Sequence, residues 1–351
     1  MATFDDSRLD DPVTLNAADA ILRQLAMTGS RIRVEAGKLP AGLDTQFQPR
    51  GVLVVGAENR LIRAVLEPTC PVPLVAWPLD TLPAWVGPLD LVVALAGDDP
   101  NPGLLANVLE ATRRGAQLIV AAAADSPAAA FSPARALLPT RTGDPLAVAV
   151  AVLEGLQRLG LGPIVYAESV AEAADVVAEE CGPFRDLSCN PAKELALALA
   201  ERQVLLTGTS VLASRAARRV AEALRHASGQ AALAADAAEL TPVVSATHSG
   251  DLFADPYEAQ ESLCPVLVVF DDQRPNLDAT GTATFNAALP ALIRLADARG
   301  VRVVTLSADA DLGVMDRYVS LLQQGLYGAA YLSIGLDTPL TPQPDYWEPG
   351  R

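Results

Sequence analysis

Short apolar runs alternate with helix-patterned stretches along most of this chain, and the clearest example lies in its second half. The apolar run at 204–206 ends at Gly208, as is typical of a buried parallel strand. Thr209 and Ser210 follow, and either hydroxyl can cap a helix that begins at Val211. One face of that helix carries apolar residues at helical spacing: Leu212, Ala216, Val220 and Leu224.

This strand, turn and helix start predict a place where an anion can bind. Free backbone N–H groups and the helix dipole both point at the turn, so negative charge is favoured there. The sequence GVLVVG from Gly51 to Gly56 predicts the same arrangement in the first half of the chain, which suggests two similar halves. A capped strand-to-helix junction without any ligand also explains these residues, so both interpretations stay open.

The alternation of the two kinds of segment predicts parallel sheets that are covered by helices on both faces. We therefore expect an α/β protein with two domains, 1–160 and 161–351, and an extended proline-rich tail from about residue 337. The predicted strands lie at 52–55, 72–77, 89–95, 117–122, 204–207, 231–235, 266–270, 301–306 and 330–334. The predicted helices lie at 16–28, 60–66, 102–114, 145–159, 169–180, 190–200, 211–226, 282–299 and 312–324.

Composition and charge narrow the classes of function. The chain has 351 residues and a formal net charge of −16, which argues against nucleic acid and against anionic membrane surfaces as partners. No apolar run approaches the roughly 20 residues of a membrane-spanning helix. The acidic, polar N-terminus and the scattered single cysteines favour a reducing cytoplasm. With two histidines and no C-x-x-C pair, a zinc site is not expected.

Three segments, in this order and spacing, carry a resemblance to a known family. They are CPVPLVAWPLDTLPAWVGPLDLVVALAG from Cys70, SPARALLP from Ser132 and NPAKELALALAERQVLLTG from Asn190. On these segments the chain resembles the bifunctional phosphoglucose/phosphomannose isomerases, which carry two sugar-isomerase (SIS) domains. The resemblance implies two αβα SIS domains in a homodimer. It also implies interconversion of glucose 6-phosphate or mannose 6-phosphate with fructose 6-phosphate, without a metal or other cofactor.

The implied chemistry has definite needs. A carboxylate must carry a proton between C2 and C1 of the open-chain sugar, and a histidine or lysine must help to open the ring. A glycine-rich turn and a Ser/Thr-rich turn at helix N-termini must hold the phosphate. The resemblance assigns each of these groups to a particular segment of this sequence.

Both phosphate turns depart from the family pattern. Gly56-Ala57-Glu58-Asn59-Arg60 stands where the glycine-rich loop is expected, so only Gly56 matches. Ala96-Gly97-Asp98-Asp99-Pro100 stands where the family has Ser-Gly-Asn-Thr. Each aspartate would cost about 1 kcal/mol or more beside a sugar phosphate. Asn101 can cap a helix that starts at Pro102, which explains this turn without a ligand.

The proton shuttle departs from the pattern as well. Ala227 stands where the resemblance places the carboxylate. Glu222 lies about one helical turn earlier and is expected to face solvent. The tail at 338–351 contains no lysine to match the one near the C-terminus of family members.

Five residues remain candidates for the site. The resemblance implies that Arg135 lines the sugar-phosphate pocket and that His248 is the family histidine, the one catalytic candidate. The turns add Gly56, Thr209 and Ser210 as ligand-binding candidates. A surface arginine beside a strand and a solvated loop histidine are the alternative interpretations of the first two.

Two further groups of charged residues have alternative interpretations. Lys193, near a predicted helix start, is expected to pair with solvent or with an acid. Asp271 and Asp272 end one predicted strand, and Asp309 and Asp311 follow another. They could bind a hard cation such as Mg²⁺ beyond the carboxyl ends of the strands, or serve as solvated turn residues and helix caps.

These observations leave open three interpretations of function. The chain is a working phosphosugar isomerase with a shifted site, or a non-catalytic member that binds a hexose phosphate or a partner protein. The third is a scaffold without any ligand. The altered turns and the missing shuttle favour a phosphosugar-binding protein whose catalysis is doubtful.

Overall fold

The computed structural model describes residues 3–40, 42–97, 101–247, 264–274 and 285–338. The helices are α1 (Pro12–Ala17), α2 (Asp19–Ala26), α3 (Thr28–Glu35), α4 (Asn59–Leu66), α5 (Pro102–Arg113), α6 (Pro127–Phe131), α7 (Pro145–Arg158), α8 (Ala167–Cys181), α9 (Pro191–Leu199), α10 (Val211–Ser228), α11 (Ala237–Ser245), α12 (Leu289–Ala298) and α13 (Val314–Leu336). The strands are β1 (Val52–Gly56), β2 (Leu74–Trp77), β3 (Leu91–Leu95), β4 (Gln117–Ala123), β5 (Leu137–Thr140), β6 (Gln203–Gly208), β7 (Ala232–Ala234), β8 (Pro265–Asp271) and β9 (Arg302–Ser307). The predicted α/β class, with two parallel sheets flanked by helices, is confirmed.

The described residues form two compact units, each built around one sheet. The N-terminal-sheet unit comprises residues 28–40, 42–97, 101–172 and 313–315. The C-terminal-sheet unit comprises residues 3–27, 173–247, 264–274, 285–312 and 316–338. The first 27 residues therefore belong with the second sheet, although they precede the first sheet in the chain.

The N-terminal sheet has five parallel strands in the order β2-β1-β3-β4-β5. Its alternate apolar residues point to opposite faces, and one face packs with Leu104 and Val108 of α5 in a buried cluster. β5 was not predicted from the sequence. It is an edge strand that contains Pro139, and proline is tolerated at a sheet edge because no partner strand needs its missing N–H.

The C-terminal sheet has four parallel strands in the order β7-β6-β8-β9. Leu205 of β6 and Leu267 of β8 lie in a buried cluster with Leu240 of α11 and Leu292 of α12. α11 was also missed in the sequence, because it is short and carries Pro242 in its interior.

The strand predicted at 330–334 is wrong, because these residues lie in α13. Its last turns are apolar on every side, and a continuous apolar run fits a buried strand or a buried helix equally well. Gly325 and Gly328 let this helix approach its neighbours. A methyl group on Gly325 would lie 2.4 Å from Val220, and one on Gly328 would lie 2.5 Å from Leu195.

Among the residues that the structure describes, no helix combines the length and apolar character needed to cross a bilayer.

Candidate functional site

Each sheet contains a point at which the strand order reverses. β1 lies between β2 and β3, and β6 lies between β7 and β8. In open parallel sheets, ligands bind beyond the carboxyl ends of the two strands that flank such a point. The candidate sites are therefore the end of β6 with the end of β8, and the end of β1 with the end of β3.

The end of β6 carries the two hydroxyls that the sequence singled out. Ser210 is the N-cap of α10, and its Oγ accepts a hydrogen bond from the Ala213 N–H at 3.1 Å. Thr209 precedes it, and its backbone N–H donates to the Phe270 carbonyl at 2.9 Å. This backbone bond continues the β6–β8 pairing by one step, so the turn is fixed against the end of β8.

Asp272 contacts both hydroxyls, and the Thr209 Oγ1 also lies 3.3 Å from the Asp271 Oδ1. The Ser210 Oγ donates to the Asp272 Oδ2 at 2.5 Å, and the Thr209 Oγ1 lies 3.1 Å from the Asp272 Oδ1. The Asp272 N–H donates back to the Thr209 Oγ1 at 3.2 Å, and the residue is only 3 % exposed. A buried carboxylate thus lies at the N-terminus of an 18-residue helix, where the helix dipole favours negative charge.

Neighbouring polar contacts hold this arrangement in place. The Asn286 Nδ2 donates to the Thr207 Oγ1 at 2.9 Å and to the Gly208 carbonyl at 2.8 Å. Its Oδ1 accepts from the Ala237 N–H, which ties the start of α11 to the end of β6. A methyl group on Gly208 would lie 2.2 Å from the Ser214 backbone nitrogen, so only glycine allows α10 to start this close to the strand.

Arg317 of α13 brings a buried positive charge to the same unit. The residue is 8 % exposed, and its Nη1 donates to the Ala310 carbonyl at 2.9 Å. Its Nε has no hydrogen-bond partner among the described residues. Burial lowers the pKa of Arg317 and nearby Arg274 lowers it further, whereas Asp272 and Asp316 act in the opposite direction. Arg317 therefore lies within electrostatic range of Asp272 and retains an unused donor.

The switch point of the N-terminal sheet is shaped by backbone geometry. Gly56 has a φ of +87°, and a methyl group there would lie 2.1 Å from the Leu95 carbonyl oxygen. The Ala57 N–H donates to that same oxygen at 3.1 Å. Glu58 follows in the left-handed conformation and is buried, so a carboxylate lies inside the turn that the resemblance assigns to phosphate.

The start of α5 also has a carboxylate beside it. Asn101 caps the helix through a 2.8 Å hydrogen bond from the Gly103 N–H, as the sequence predicted. A methyl group on Gly103 would lie 1.9 Å from the Asp80 Oδ1, so the Asp80 carboxylate lies against the first turn of the helix. Asp98 and Asp99 lie outside the described residues.

The other candidates from the sequence lie apart from these turns. Arg135 is exposed and lies in the short turn before the edge strand β5, whereas Gly56 ends the inner strand β1, and β3 and β4 lie between those two strands. Its carbonyl accepts a hydrogen bond from the Gly42 N–H at 2.9 Å. His248 lies outside the described residues.

The two positions weighed for the proton shuttle are both unsuited to it. Ala227 is fully buried near the end of α10, and its carbonyl accepts a hydrogen bond from the Thr338 hydroxyl. Glu222 is exposed, as predicted. Neither position therefore places a carboxylate beside Thr209 or Ser210.

The aspartates at the edge of the C-terminal sheet make protein contacts. Asp271 accepts from the Gln273 N–H at 3.0 Å, and Asp309 accepts from the Asp311 N–H at 3.0 Å. Within the described ranges, no cluster of three or more His, Cys, Asp or Glu residues could hold a metal ion.

Sequence reasoning missed three residues of this site: the carboxylate partner Asp272, the bracing Asn286 and the buried Arg317. Asp272 was considered as a cation ligand, a solvated turn residue or a helix cap, and its contact with the Thr209 and Ser210 hydroxyls was not predicted. Asn286 is 78 positions from Gly208, and Arg317 is 108 positions from Thr209. No local sequence pattern indicates either residue.

Comparison with known proteins gives a likeness of fold. No family model matches this chain, and no curated protein matches it either. A glucose-6-phosphate isomerase like protein from Thermus thermophilus is similar in structure, with 16 % identity over 93 % of this chain and 92 % of that one, at a TM-score of 0.51. The tagatose-6-phosphate ketose/aldose isomerase of Escherichia coli has 13 % identity over 95 % and 92 % of the two chains, at a TM-score of 0.57.

A third similar structure is the C-terminal domain of the glucosamine-fructose-6-phosphate aminotransferase of Francisella tularensis. It has 12 % identity over 91 % of this chain and 96 % of that one, at a TM-score of 0.61. At these identities the likeness shows the fold alone. The chain has the fold of the SIS-domain proteins: two parallel α/β sheets, each flanked by helices.

Proposed function

We propose that this protein binds a sugar phosphate at the N-terminus of α10 and does not isomerise it. The observation that carries the proposal is the Asp272 carboxylate held by the Thr209 and Ser210 hydroxyls. A carboxylate and a phosphate present the same kind of oxygen acceptor, so a turn that holds one has the donors for the other. The turn also lies at the switch point of its sheet, where ligands of this architecture bind.

The chemical class of the ligand is inferred from the structural neighbours. The names of the three similar proteins refer to glucose 6-phosphate, to tagatose 6-phosphate and, for the aminotransferase, to glucosamine and fructose 6-phosphate. A hexose phosphate or a related amino-sugar phosphate is accordingly the ligand that we propose for this chain. The same proposal includes kinship with the bifunctional phosphoglucose/phosphomannose isomerases. It also includes a homodimeric state, a cytoplasmic location and a domain division at 160/161.

The absence of turnover is proposed from the position of the carboxylates. Aldose–ketose isomerisation needs a carboxylate that reaches both C1 and C2 of the bound sugar. Ala227 offers none, Glu222 is exposed, and Asp272 is hydrogen-bonded to the hydroxyls that would hold the phosphate. A carboxylate that occupies the phosphate donors is poorly placed to act on carbon atoms several bonds away.

A ligand panel and an activity assay test the two parts of the proposal separately. Thermal unfolding is measured with millimolar glucose 6-phosphate, mannose 6-phosphate, fructose 6-phosphate and glucosamine 6-phosphate, with the unphosphorylated sugars as controls. We expect at least one phosphate to stabilise the protein, by about 2.7 kcal/mol at a hundredfold excess over its Kd. A coupled isomerase assay at high protein concentration is expected to show no turnover.

The outcomes separate cleanly. If no sugar phosphate raises the unfolding temperature above its unphosphorylated control, the binding function is wrong. If turnover appears and scales with protein concentration, the non-catalytic part is wrong and some other carboxylate must carry the proton. Light scattering of the purified chain tests the proposed homodimer.

A further inference from the structure

The α10 turn already contains an anion that belongs to the protein. Asp272 places one carboxylate oxygen 2.5 Å from the Ser210 Oγ and the other 3.1 Å from the Thr209 Oγ1. An incoming phosphate would need the same two hydroxyls. Both anions cannot use them together, because each hydroxyl has one proton to donate and the two negative groups would repel each other at contact distance.

The residues around the turn affect how well an incoming phosphate competes with Asp272 for the two hydroxyls. Asp272 is attached to β8, so it is always present at the turn and loses little freedom when it binds there. Arg317 is buried within electrostatic range and has an unused Nε donor among the described residues. The charges that act on Arg317 include those of Asp272 and Asp316, with Arg274 acting in the opposite direction.

We propose that Asp272 is the selectivity residue of the α10 site: a phosphate group binds there only by taking the Thr209 and Ser210 hydroxyls from the Asp272 carboxylate. This inference rests on the proposed function, since it concerns the same turn. Because Asp272 competes for the hydroxyls, the wild-type protein is expected to bind inorganic phosphate and other small anions weakly. A sugar phosphate that gains further contacts through its sugar can still displace Asp272.

Asp272→Asn tests the idea with minimal change of shape. It keeps the size of the side chain and removes the charge, so we expect inorganic phosphate and fructose 6-phosphate to bind about tenfold tighter or more than to wild type. Titration calorimetry on the full chain measures the affinities. Asp309→Asn is the matched control, because it removes the same charge after the adjacent strand β9 without touching either hydroxyl, and it is expected to stay within about twofold of wild type.

Two further variants keep the test decisive. Ser210→Ala in the Asp272→Asn background is expected to cancel the gain, because it removes a hydroxyl that the phosphate now uses. Ser210→Ala alone removes the hydroxyl both from its contact with Asp272 in the free protein and from its contact with the bound phosphate, so it is expected to change phosphate affinity by less than about twofold. Unfolding curves of each variant confirm that it is folded.

The possible results distinguish this inference from the proposed function. If wild type binds a sugar phosphate but Asp272→Asn binds it no more tightly than Asp309→Asn does, the selectivity role is refuted and the binding function stands. If Ser210→Ala alone weakens phosphate binding more than about fivefold, Asp272 does not hold that hydroxyl in the free protein and the inference fails. It fails also if Ser210→Ala weakens phosphate binding no more in the Asp272→Asn background than on its own. If neither wild type nor any variant binds a sugar phosphate, the proposed function itself fails.

Discussion

The Lys193 ammonium is fully buried and lies 2.7 Å from the Asp10 carboxylate, whose side chain is 44 % exposed. Lys193 also donates to the carbonyls of Pro183 and Arg185 and lies 5.3 Å from the centre of the Tyr331 ring. The sequence predicted that Lys193 pairs with solvent or with an acid, and the structure shows the acid. The pair fastens the N-terminal arm to the C-terminal-sheet unit across 183 positions of sequence.

Asp10→Asn is expected to destabilise the protein by about 1–2 kcal/mol, because the Asp10 side chain is 44 % exposed and Lys193 keeps its two carbonyl acceptors. Urea unfolding measures the change as a lower midpoint at an unchanged slope. Asp6→Asn removes an equal charge from the exposed first turn of the same arm and should cost under about 0.5 kcal/mol. Equal losses for the two variants would show that the pair is not stabilising.

Glu35→Gln is expected to cost about 2–3 kcal/mol. Glu35 is buried and accepts hydrogen bonds from the Lys38 ammonium, the Arg141 N–H, and the N–H and hydroxyl of Thr142. These bonds tie α3 to the segment after β5 within the N-terminal-sheet unit. Chemical unfolding of this variant is compared with that of Glu172→Gln, whose side chain is exposed and which should unfold like wild type.

The same carboxylate predicts how stability depends on pH. Burial by itself would raise the pKa of Glu35, but the hydrogen bonds from Lys38, Arg141 and Thr142 together lower that pKa below its usual 4.5. A lowered pKa gives stability that is complete above the usual value and is lost as the pH falls through the folded value. The difference in unfolding free energy between wild type and Glu35→Gln should therefore shrink from about pH 6 to about pH 3. A constant difference over that range would contradict the role of the ionised form.

Gly56→Ala is expected to destabilise by about 2 kcal/mol or more, because alanine would have to adopt a φ of +87° with its methyl group 2.1 Å from the Leu95 carbonyl oxygen. Gly87→Ala is the control, since a methyl group there meets nothing within 4 Å. Thermal unfolding of the pair separates the two effects. If Gly56→Ala is as stable as Gly87→Ala, the geometry of the turn after β1 is wrong.

The cysteines should differ in reactivity. Burial raises the pKa of the Cys181 thiol to about 12, with the Glu180 charge acting in the same direction, whereas Cys189 and Cys264 are exposed. Only the thiolate reacts with a disulfide reagent, so at about pH 8 the two exposed thiols should react promptly and Cys181 only after unfolding. Mass mapping of the labelled sites measures this, and prompt labelling of Cys181 in the folded protein would contradict its burial.

Local sequence patterns predicted most of the secondary structure. Asn101 before Pro102 and Asn190 before Pro191 cap α5 and α9, and Ser210 caps α10, because an N-cap acts on backbone groups two or three positions away. The apolar runs at 52–55 and 204–207 became β1 and β6 for a similarly local reason. The pattern failed at 330–334, where an unbroken apolar run carries no period.

The candidate site was predicted less completely. Thr209 and Ser210 lie in the strand-to-helix turn as expected, but their partner was not predicted, because Asp272 is 62 positions from Ser210 and only the pairing of β6 with β8 brings them together. Gly56 is explained by its backbone conformation and by the close carbonyl of Leu95. The site roles of Gly56, Arg135, Thr209, Ser210 and His248 stay predictions.

The sequence by itself determined most of the strands and helices, and with them the α/β class, because those choices depend on side-chain periodicity and on capping groups within a few residues. The tertiary structure alone decided which charges meet: Lys193 with Asp10, and the α10 hydroxyls with Asp272. Coulombic attraction and hydrogen bonding act over a few ångströms of space and not along the chain, so these partners are specified only once the sheets have formed and the chain ends have packed.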